Sequence, residues 1–400
     1  MVQFLTLDQI NLTSKRVLVR VDLNVPVVEG EISDSSRISR ITPTINEIID
    51  RKGIPILISH FGRPKGKVNP AMTLYPLTAE IKNVMRNDNV YFAKDCIGPI
   101  AEEVVKDLKD GEIGLLENLR YHKGEEKNDP IFAAALAKLA DIYVNDAFSA
   151  SHRAHASTNK IASLLPCAAG RLMQSELEAL ETALEKPQRP VVAIVGGSKV
   201  STKISVLTNL IAKMDVIVIG GGMANTFLYS MGYDMGKSLL EKDLTNVALD
   251  IIDQAKSQGC KLILPTDVIV SEEFRSEAKH KAVDVIDIPQ NAMALDLGPK
   301  TIASIKQIFK DAKTVVWNGP LGAFEIKPFD IATVAIAQFV ADLSEQGKLI
   351  SVAGGGDTIS ALNKAGVEKY FSYISTAGGA FLEWLEGKPL PGVEALKNHQ

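Results

Sequence analysis

Residues 191–222 read VVAIVGGSKVSTKISVLTNLIAKMDVIVIGGG. Two continuous apolar runs, VVAIVGG (191–197) and DVIVIGG (215–221), flank an amphipathic stretch, KISVLTNLIAKM (203–214). Short β-branched runs without polar alternation mark strands buried on both faces, and a helix between two of them makes a parallel strand–helix–strand unit. Each run ends in glycines, at the carboxyl edge where parallel sheets bind their ligands. The intervening loop matches neither GxxxxGK(S/T) nor GxGxxG, which counts against a Walker-type NTPase and a nicotinamide enzyme.

The same alternation continues outward in both directions. Strand candidates are RVLVRVDL (16–23), IPILISH (54–60), IGLLEN (113–118), IYVND (142–146), KLILPTDV (261–268), TVVWNG (314–319) and LISVAGGG (349–356), with helix candidates such as DPIFAAALAKLA (129–140) between them. The pattern predicts an α/β fold with parallel sheets. A chain of 400 residues suits two lobes better than one. A helix over 171–185, with Leu172, Leu177, Leu180 and Leu184 along one stripe, is closed by the prolines of KPQRP (186–190) and reads as the connector. The tail 386–400 carries Leu390, Val393 and Leu396 and is expected to dock on a lobe.

Composition narrows the class. With 46% hydrophobic and 23% charged residues the chain is globular, and a net charge of -4 argues against a nucleic-acid binder. No apolar run approaches a membrane span, and no basic-then-apolar leader opens the chain. Cys96, Cys167 and Cys260 lie far apart without a CxxC, which predicts neither a disulfide framework nor a structural zinc site. A cytoplasmic enzyme is expected.

Arginine and glycine are unevenly spread. Ten of the twelve arginines fall within the first 171 residues, whereas nine glycines precede residue 187 and twenty follow it. Arginine grips carboxylate and phosphate oxygens two at a time, and glycine lets backbone N–H groups approach an anion. In the first half, strand ends carry Asp22 and Asn24, then His60 and Arg63, then Arg120, then Arg153, with Arg37 in the loop after the first strand. One such residue is ordinary surface; His60, Arg63, Arg120 and Arg153 together at equivalent topological positions indicate an anion site. His60, His152 and His155 have no Cys or carboxylate at ligand spacing, so a metal there is not expected. In the second half, strand ends carry Gly196–Lys203, Gly220–Gly222, Asn318–Pro320, Gly354–Thr358 and Ser375–Gly379. Asp357 reads either as a helix N-cap or as a ligand of Mg²⁺ on nucleotide phosphates. Lys199 and Lys203, four apart on an incipient helix, read either as solvated side chains or as a pair reaching one phosphoryl group.

Nine segments in this order, RVDLNVP, SHFGRPKG, LLENLRYHKGE, VNDAF with SHRAHAS, VGGSKVSTKI, GGGMANTF, VVWNGPLGAFE, GGGDT and GGAFLEWLEGKPLPGVEAL, resemble the signatures of the phosphoglycerate kinases and cover essentially the whole chain. The resemblance implies two doubly wound parallel-sheet lobes joined by a hinge helix: residues 1–170 for the glycerate phosphate, with the tail 387–400 packing back on them, 171–186 as the connecting helix, and 187–386 for the nucleotide. It implies a cytoplasmic monomer that binds neither nucleic acid nor membrane. Its reaction moves a phosphoryl group between 1,3-bisphosphoglycerate and ADP·Mg²⁺ to give 3-phosphoglycerate and ATP.

Carried over by residue, Asp22, Asn24, Arg37, His60, Phe61, Gly62, Arg63, Arg120 and Arg153 resemble the glycerate-phosphate site, with Arg37 facing the reacting carboxyl. Lys203, Glu325, Gly354, Gly355, Gly356, Asp357 and Thr358 resemble the nucleotide site, with Glu325 on the ribose and Asp357 on Mg²⁺. Arg37, Lys199, Lys203, Gly378 and Gly379 would attend the transferred group. The chain departs from the pattern at Ser149, where glycine is frequent, at Ser151, at Phe61 and at Ala377, whose Cβ would either narrow the phosphoryl pocket or forbid a positive φ. The acceptor is a carboxylate already ionised at neutral pH, so no general base is expected and catalysis reduces to positioning and charge neutralisation across a closing cleft. A kinase for another small carboxylate and a non-catalytic two-lobed binding protein are the competing readings.

Overall fold

The computed structural model describes residues 4–28 and 31–397. Positions 1–3 of the expected first lobe and 398–400 of the expected docking tail lie outside these. The chain divides into two compact units, residues 1–178 with 389–400 and residues 179–388.

The first unit is built on six parallel strands, in spatial order Val90–Ala93, Ile113–Leu116, Ile54–Ile58, Arg16–Arg20, Ile142–Asn145 and Cys167–Ala169. The first strand of the chain lies inside the sheet, and strand order reverses between it and Ile142–Asn145, which opens a crevice at their carboxyl ends. Register brings those ends level, with Arg20 opposite both Ile58 and Asn145. The helix Ser36–Asp50 packs on the sheet through Ile38, Ile41, Ile45 and Ile48, an i, i+3, i+7, i+10 stripe. From the tail, Leu390, Val393 and Leu396 are buried, and Gly392 N–H donates to the Ser151 carbonyl at 2.9 Å.

The second unit has six parallel strands in the order Lys261–Ile263, Val216–Ile219, Val191–Val195, Thr314–Asn318, Ile350–Gly354 and Tyr373–Ser375. Numbered along the chain this is 3-2-1-4-5-6, the dinucleotide-fold order, with its switch point between Val191–Val195 and Thr314–Asn318. Gly196 and Gly319 meet there, so closely that a Cβ on either would strike the other's loop backbone. The stretch 261–268 is not one strand. It ends at Ile263, and after Pro265 a new strand, Asp267–Ser271, forms the centre of a three-stranded antiparallel sheet with Lys281–Asp284 and Met293–Leu297. Proline cannot extend a ladder from inside it, which fixes the break. The predicted helix over 171–185 is α-helical through Leu180 and then widens to π spacing over Glu181–Glu185, closing with Lys186 N–H on the Glu181 carbonyl at 2.9 Å.

One buried carboxyl has a consequence for stability. Asp296 is 4% exposed, and its Oδ2 caps the helix Ile331–Glu345 by accepting from Ala332 N–H at 2.9 Å. Its Oδ1 has no hydrogen-bond partner among the described residues. Burial pushes its pKa up to about 8, with Asp330 adding repulsion. Folding therefore takes up a proton between the unfolded carboxyl pKa and that value, and stability falls as pH rises through this window. Asp296→Asn is expected to gain melting temperature relative to the native chain as pH goes from 5 to 8.5, by several degrees. A pH-independent difference in a thermal-unfolding series would contradict this.

Candidate functional site

In the first unit the site grows from a fully buried arginine that the sequence did not single out. Arg20 ends the inner strand and is 0% exposed. Its Nε donates to the Ser157 hydroxyl at 3.0 Å, Nη1 to the Val21 carbonyl, and Nη2 to His60 Nδ1 at 3.0 Å. Ser157 passes the interaction on, donating Oγ–H to Glu125 at 2.6 Å and N–H to its other oxygen at 3.0 Å. Glu125 is also 0% exposed; burial raises its pKa, and Arg20 and the Ser157 donors oppose that. A buried ion network with its hydrogen bonds made is rigid, and it fixes the floor under the strand ends.

Arginine has only donors, so His60 must accept at Nδ1 and carry its proton on Nε2. Burial lowers its pKa well below the ordinary value, as does the charge of Arg20. His155 is pushed down to about 3 by burial and by Arg120, Arg20 and Arg153. Both imidazoles are neutral at physiological pH, which leaves arginines as the cations of this cluster.

Arg120 is 6% exposed in the turn Leu119–Tyr121 and donates Nη1–H to the Gly62 carbonyl at 2.8 Å. Burial lowers its pKa, Glu126 opposes, and Arg20 and Arg153 lower it further by repulsion. Arg153 is half-buried and donates Nε–H to His152 Nε2 at 3.1 Å. Asn118 ties the 59–63 loop to this turn. Its Oδ1 accepts from Phe61 N–H at 3.2 Å and Arg120 N–H at 3.1 Å, and its Nδ2 donates to the Phe61 carbonyl at 2.7 Å. Asn24 accepts from Gly62 N–H at 2.9 Å. Arg63 stands exposed on that loop.

Arg37 lies in the first turn of its helix and is paired with Asp22. Asp22 is 8% exposed and also accepts from Asn24 N–H at 3.0 Å and the Ser149 hydroxyl at 2.5 Å. Burial works to raise its pKa, but the charge of Arg37 and these donors prevail and hold it low. The structure thus brings Asp22, Asn24, Arg37, His60, Phe61, Gly62, Arg120 and Arg153 together over one end of the sheet, with Arg63 on the same loop as Gly62.

The second unit carries a different kind of site. Lys203 precedes the helix Ile204–Ile211 and donates to Asn318 Oδ1. Burial lowers its pKa, against the attraction of Asp357 and Glu386. Asn318 donates to the Gly354 carbonyl at 2.7 Å, and Gly319 N–H donates to Thr358 Oγ1 at 2.7 Å, so one buried pair of side chains locks the lysine to the Gly354–Thr358 turn. Gly355 takes φ +98 at the N-cap of the helix Gly356–Ala365, and a Cβ there would lie 2.7 Å from the Asn318 amide nitrogen. Asp357 is exposed in the first turn of that helix, within electrostatic reach of Lys203. Glu325 is exposed on a loop that Lys364 pins, through the Phe324 carbonyl at 2.6 Å and Asp330 at 2.9 Å.

Lys199 is exposed and does not share a helical face with Lys203, because the two bracket a 3-10 turn, Val200–Thr202, and the α-helix starts only at Ile204. Ala377 needs no positive φ; Gly378 takes it, at +51, before the helix Gly379–Leu385. The backbone penalty considered for Ala377 therefore does not arise. Arg20, Glu125, Ser157 and Lys364 hold the site side chains in place and were not singled out by the sequence, while Asn118 and Asn318 were given no role there. Asn118 and Asn318 were visible as the polar residues ending apolar strand runs; the others left no such signal.

A further group, Asp95, Cys96 and His122, brings possible ligand atoms within 4.8 Å of one another. It is already internally satisfied, since Asp95 Oδ1 is 2.7 Å from His122 Nε2 and accepts from Cys96 N–H at 2.6 Å. Asp357 has the chemistry a Mg²⁺ ligand needs, as an exposed carboxylate in the first turn of a helix that Gly354, Gly355 and Gly356 lead into.

A family model described as phosphoglycerate kinase matches residues 7–388. The chain is 57% identical over 391 residues to a phosphoglycerate kinase of Cereibacter sphaeroides, covering 98% of each, and 58% identical over 398 residues to one of Methylorubrum extorquens, covering 99% of each. Among solved structures it resembles phosphoglycerate kinases of Coxiella burnetii, with 42% identity and a TM-score of 0.92, and of Pyrococcus horikoshii, with 29% and 0.80, each covering 98% of both chains.

Proposed function

The chain belongs to the phosphoglycerate kinase family, and from that premise we propose how its residues divide the work of the reaction. It is a phosphotransferase with a carboxyl acceptor, moving a phosphoryl group reversibly between 1,3-bisphosphoglycerate and ADP. His60, Arg63, Arg120 and Arg153 hold the phosphate that does not move, with the Phe61–Gly62 backbone shaping the pocket. Asp22 and Asn24 orient that loop and Arg37. Lys203, Glu325 and the Gly354–Thr358 turn hold ATP or ADP. Asp357 would hold Mg²⁺, which supplies charge neutralisation on the nucleotide phosphates.

The observation that carries this reading is the gathering of Arg20, Arg120 and Arg153 at one end of the sheet, with Arg20 and Arg120 buried and Glu125 and Glu126 offsetting only part of their charge. Their mutual repulsion in a desolvated place is relieved by an anion, and a phosphate dianion does so best. The acceptor carboxylate arrives ionised and needs no base. What the chain supplies is alignment and positive potential: Arg37 on the reacting carboxyl and the moving group, Lys203 and Lys199 on the phosphoryl oxygens, and Gly378 and Gly379 N–H groups nearby. Transfer requires the two half-sites to meet during turnover, which also keeps water from the phosphoryl group. The protein acts as a cytoplasmic monomer, and no helix among the described residues is long and apolar enough to cross a membrane.

ATP-dependent turnover of 3-phosphoglycerate, coupled to glyceraldehyde-3-phosphate dehydrogenase and followed by NADH loss, tests this directly. With ADP release as the readout common to all acceptors, rapid turnover with 3-phosphoglycerate and essentially none with glycerate or acetate is expected; equal rates on glycerate would remove the phosphate pocket from the mechanism. Arg153→Ala is expected to raise KM for 3-phosphoglycerate about 10- to 100-fold, the loss of one charge-assisted contact, with kcat changed only a few-fold. A kcat loss at constant KM would contradict that assignment.

A further inference from the structure

The Asp22 carboxylate is served unequally. Oδ1 accepts from Asn24 N–H, whereas Oδ2 is shared by two donors, the Arg37 guanidinium and the Ser149 hydroxyl, the latter at 2.5 Å. Ser149 reaches it because the strands Arg16–Arg20 and Ile142–Asn145 pair in register, which sets the turn Phe148–Ala150 beside the residues that follow Arg20. Asp22 is 8% exposed, so an oxygen left without a donor there stays unsolvated.

We propose that Ser149 is a positioning residue that frees Arg37 for the reaction by keeping the shared oxygen of Asp22 hydrogen-bonded when the guanidinium turns to the substrate. The proposal rests on the reading above, in which Arg37 acts on the reacting carboxyl. While Nη1 is paired with Asp22, the charge of Arg37 is shared with that carboxylate, and committing it to the transferring group weakens the pair. Releasing it would strand a buried carboxylate unless another donor stays. Ser149 is that donor, its hydroxyl already in place and half-buried with it. Without the hydroxyl, Asp22 holds Arg37 more tightly, and the loss appears where Arg37 is needed most, in the transition state.

The test is a kinetic panel of Ser149→Ala, Ser149→Thr, Arg37→Ala and Asp22→Asn, the last also combined with Ser149→Ala. Ser149→Ala is expected to lower kcat about 5- to 30-fold with KM for 3-phosphoglycerate within about twofold, and Ser149→Thr to restore most of it. On the Asp22→Asn background, Ser149→Ala should add nothing, because the charge it serves is gone; independent, multiplying effects would overturn the proposal. So would an unchanged kcat, or a raised KM at constant kcat. If Arg37→Ala itself keeps near-native turnover, the role given to Arg37 fails and Ser149 falls with it. If Arg37→Ala collapses turnover while Ser149→Ala is neutral, only the Ser149 proposal fails. Matched melting curves, with Ser149→Thr as the conservative control, separate these outcomes from misfolding.

Discussion

Replacing Arg37 by alanine is expected to cut turnover by on the order of 10³-fold or more while leaving the fold intact. The side chain is 36% exposed, and its ion pair is with a carboxylate that keeps Asn24 and Ser149 as donors when the guanidinium is gone. Little stability therefore depends on it. The proposed role is to bring positive charge and a fixed fork to a carboxylate and a metaphosphate-like transition state, which neutral water cannot replace. Single-turnover and steady-state kcat for Arg37→Ala, alongside melting curves, decide the matter. A loss smaller than tenfold would show that the reacting carboxyl is neutralised by something else.

Lys203→Ala should be comparably damaging, by about 10³-fold in kcat on the same analogy. The lysine sits in a slot whose depth is set by Asn318, itself fastened to the Gly354 carbonyl. Lys203→Arg is not expected to rescue, since a planar fork longer than the slot displaces Asn318 and with it the turn that carries Asp357 and Thr358. The titration has a definite sign. Burial favours the neutral amine and lowers the pKa, so the catalytic charge is lost at a lower pH than for a free lysine, and kcat should decline early on the alkaline side. Near-normal turnover by Lys203→Ala in the coupled assay would remove this residue from the mechanism.

How much of this was legible in the sequence depended on whether the information was local. Apolar runs such as VVAIVGG and TVVWNG announced buried parallel strands, and the polar residues ending them placed Asp22, His60, Arg120, Lys203 and Asp357 at sheet ends. Strand order was not legible, because pairing Val191–Val195 with Thr314–Asn318 is a contact across more than a hundred residues. The antiparallel sheet was missed since Lys281–Asp284, with two exposed and two half-buried residues, has no apolar signature, and KLILPTDV reads as one run unless Pro265 is taken as a break. Lys199 and Lys203 looked like helical neighbours because four-residue spacing cannot tell an α-helix from a 3-10 turn leading into one. Arg20 was hidden in a different way. In RVLVRVDL nothing local shows what it pairs with, and the distant Glu125, Ser157 and His60 make a fully buried arginine tenable there. Asp296, whose carboxyl is held largely protonated, is invisible to sequence for the same reason.

The central claim is that the first unit grips the stationary phosphate with arginines while the second cradles the nucleotide with glycine turns around Lys203. A crystal structure with 3-phosphoglycerate, Mg²⁺ and a non-hydrolysable ATP analogue tests it most directly. The account predicts the 3-phosphate on Arg63, Arg120 and Arg153 with His60 Nε2–H donating, the analogue on the Gly354–Thr358 turn, and the metal on Asp357. A 3-phosphate bound away from those arginines, or a nucleotide away from the Gly354–Thr358 turn, would contradict it.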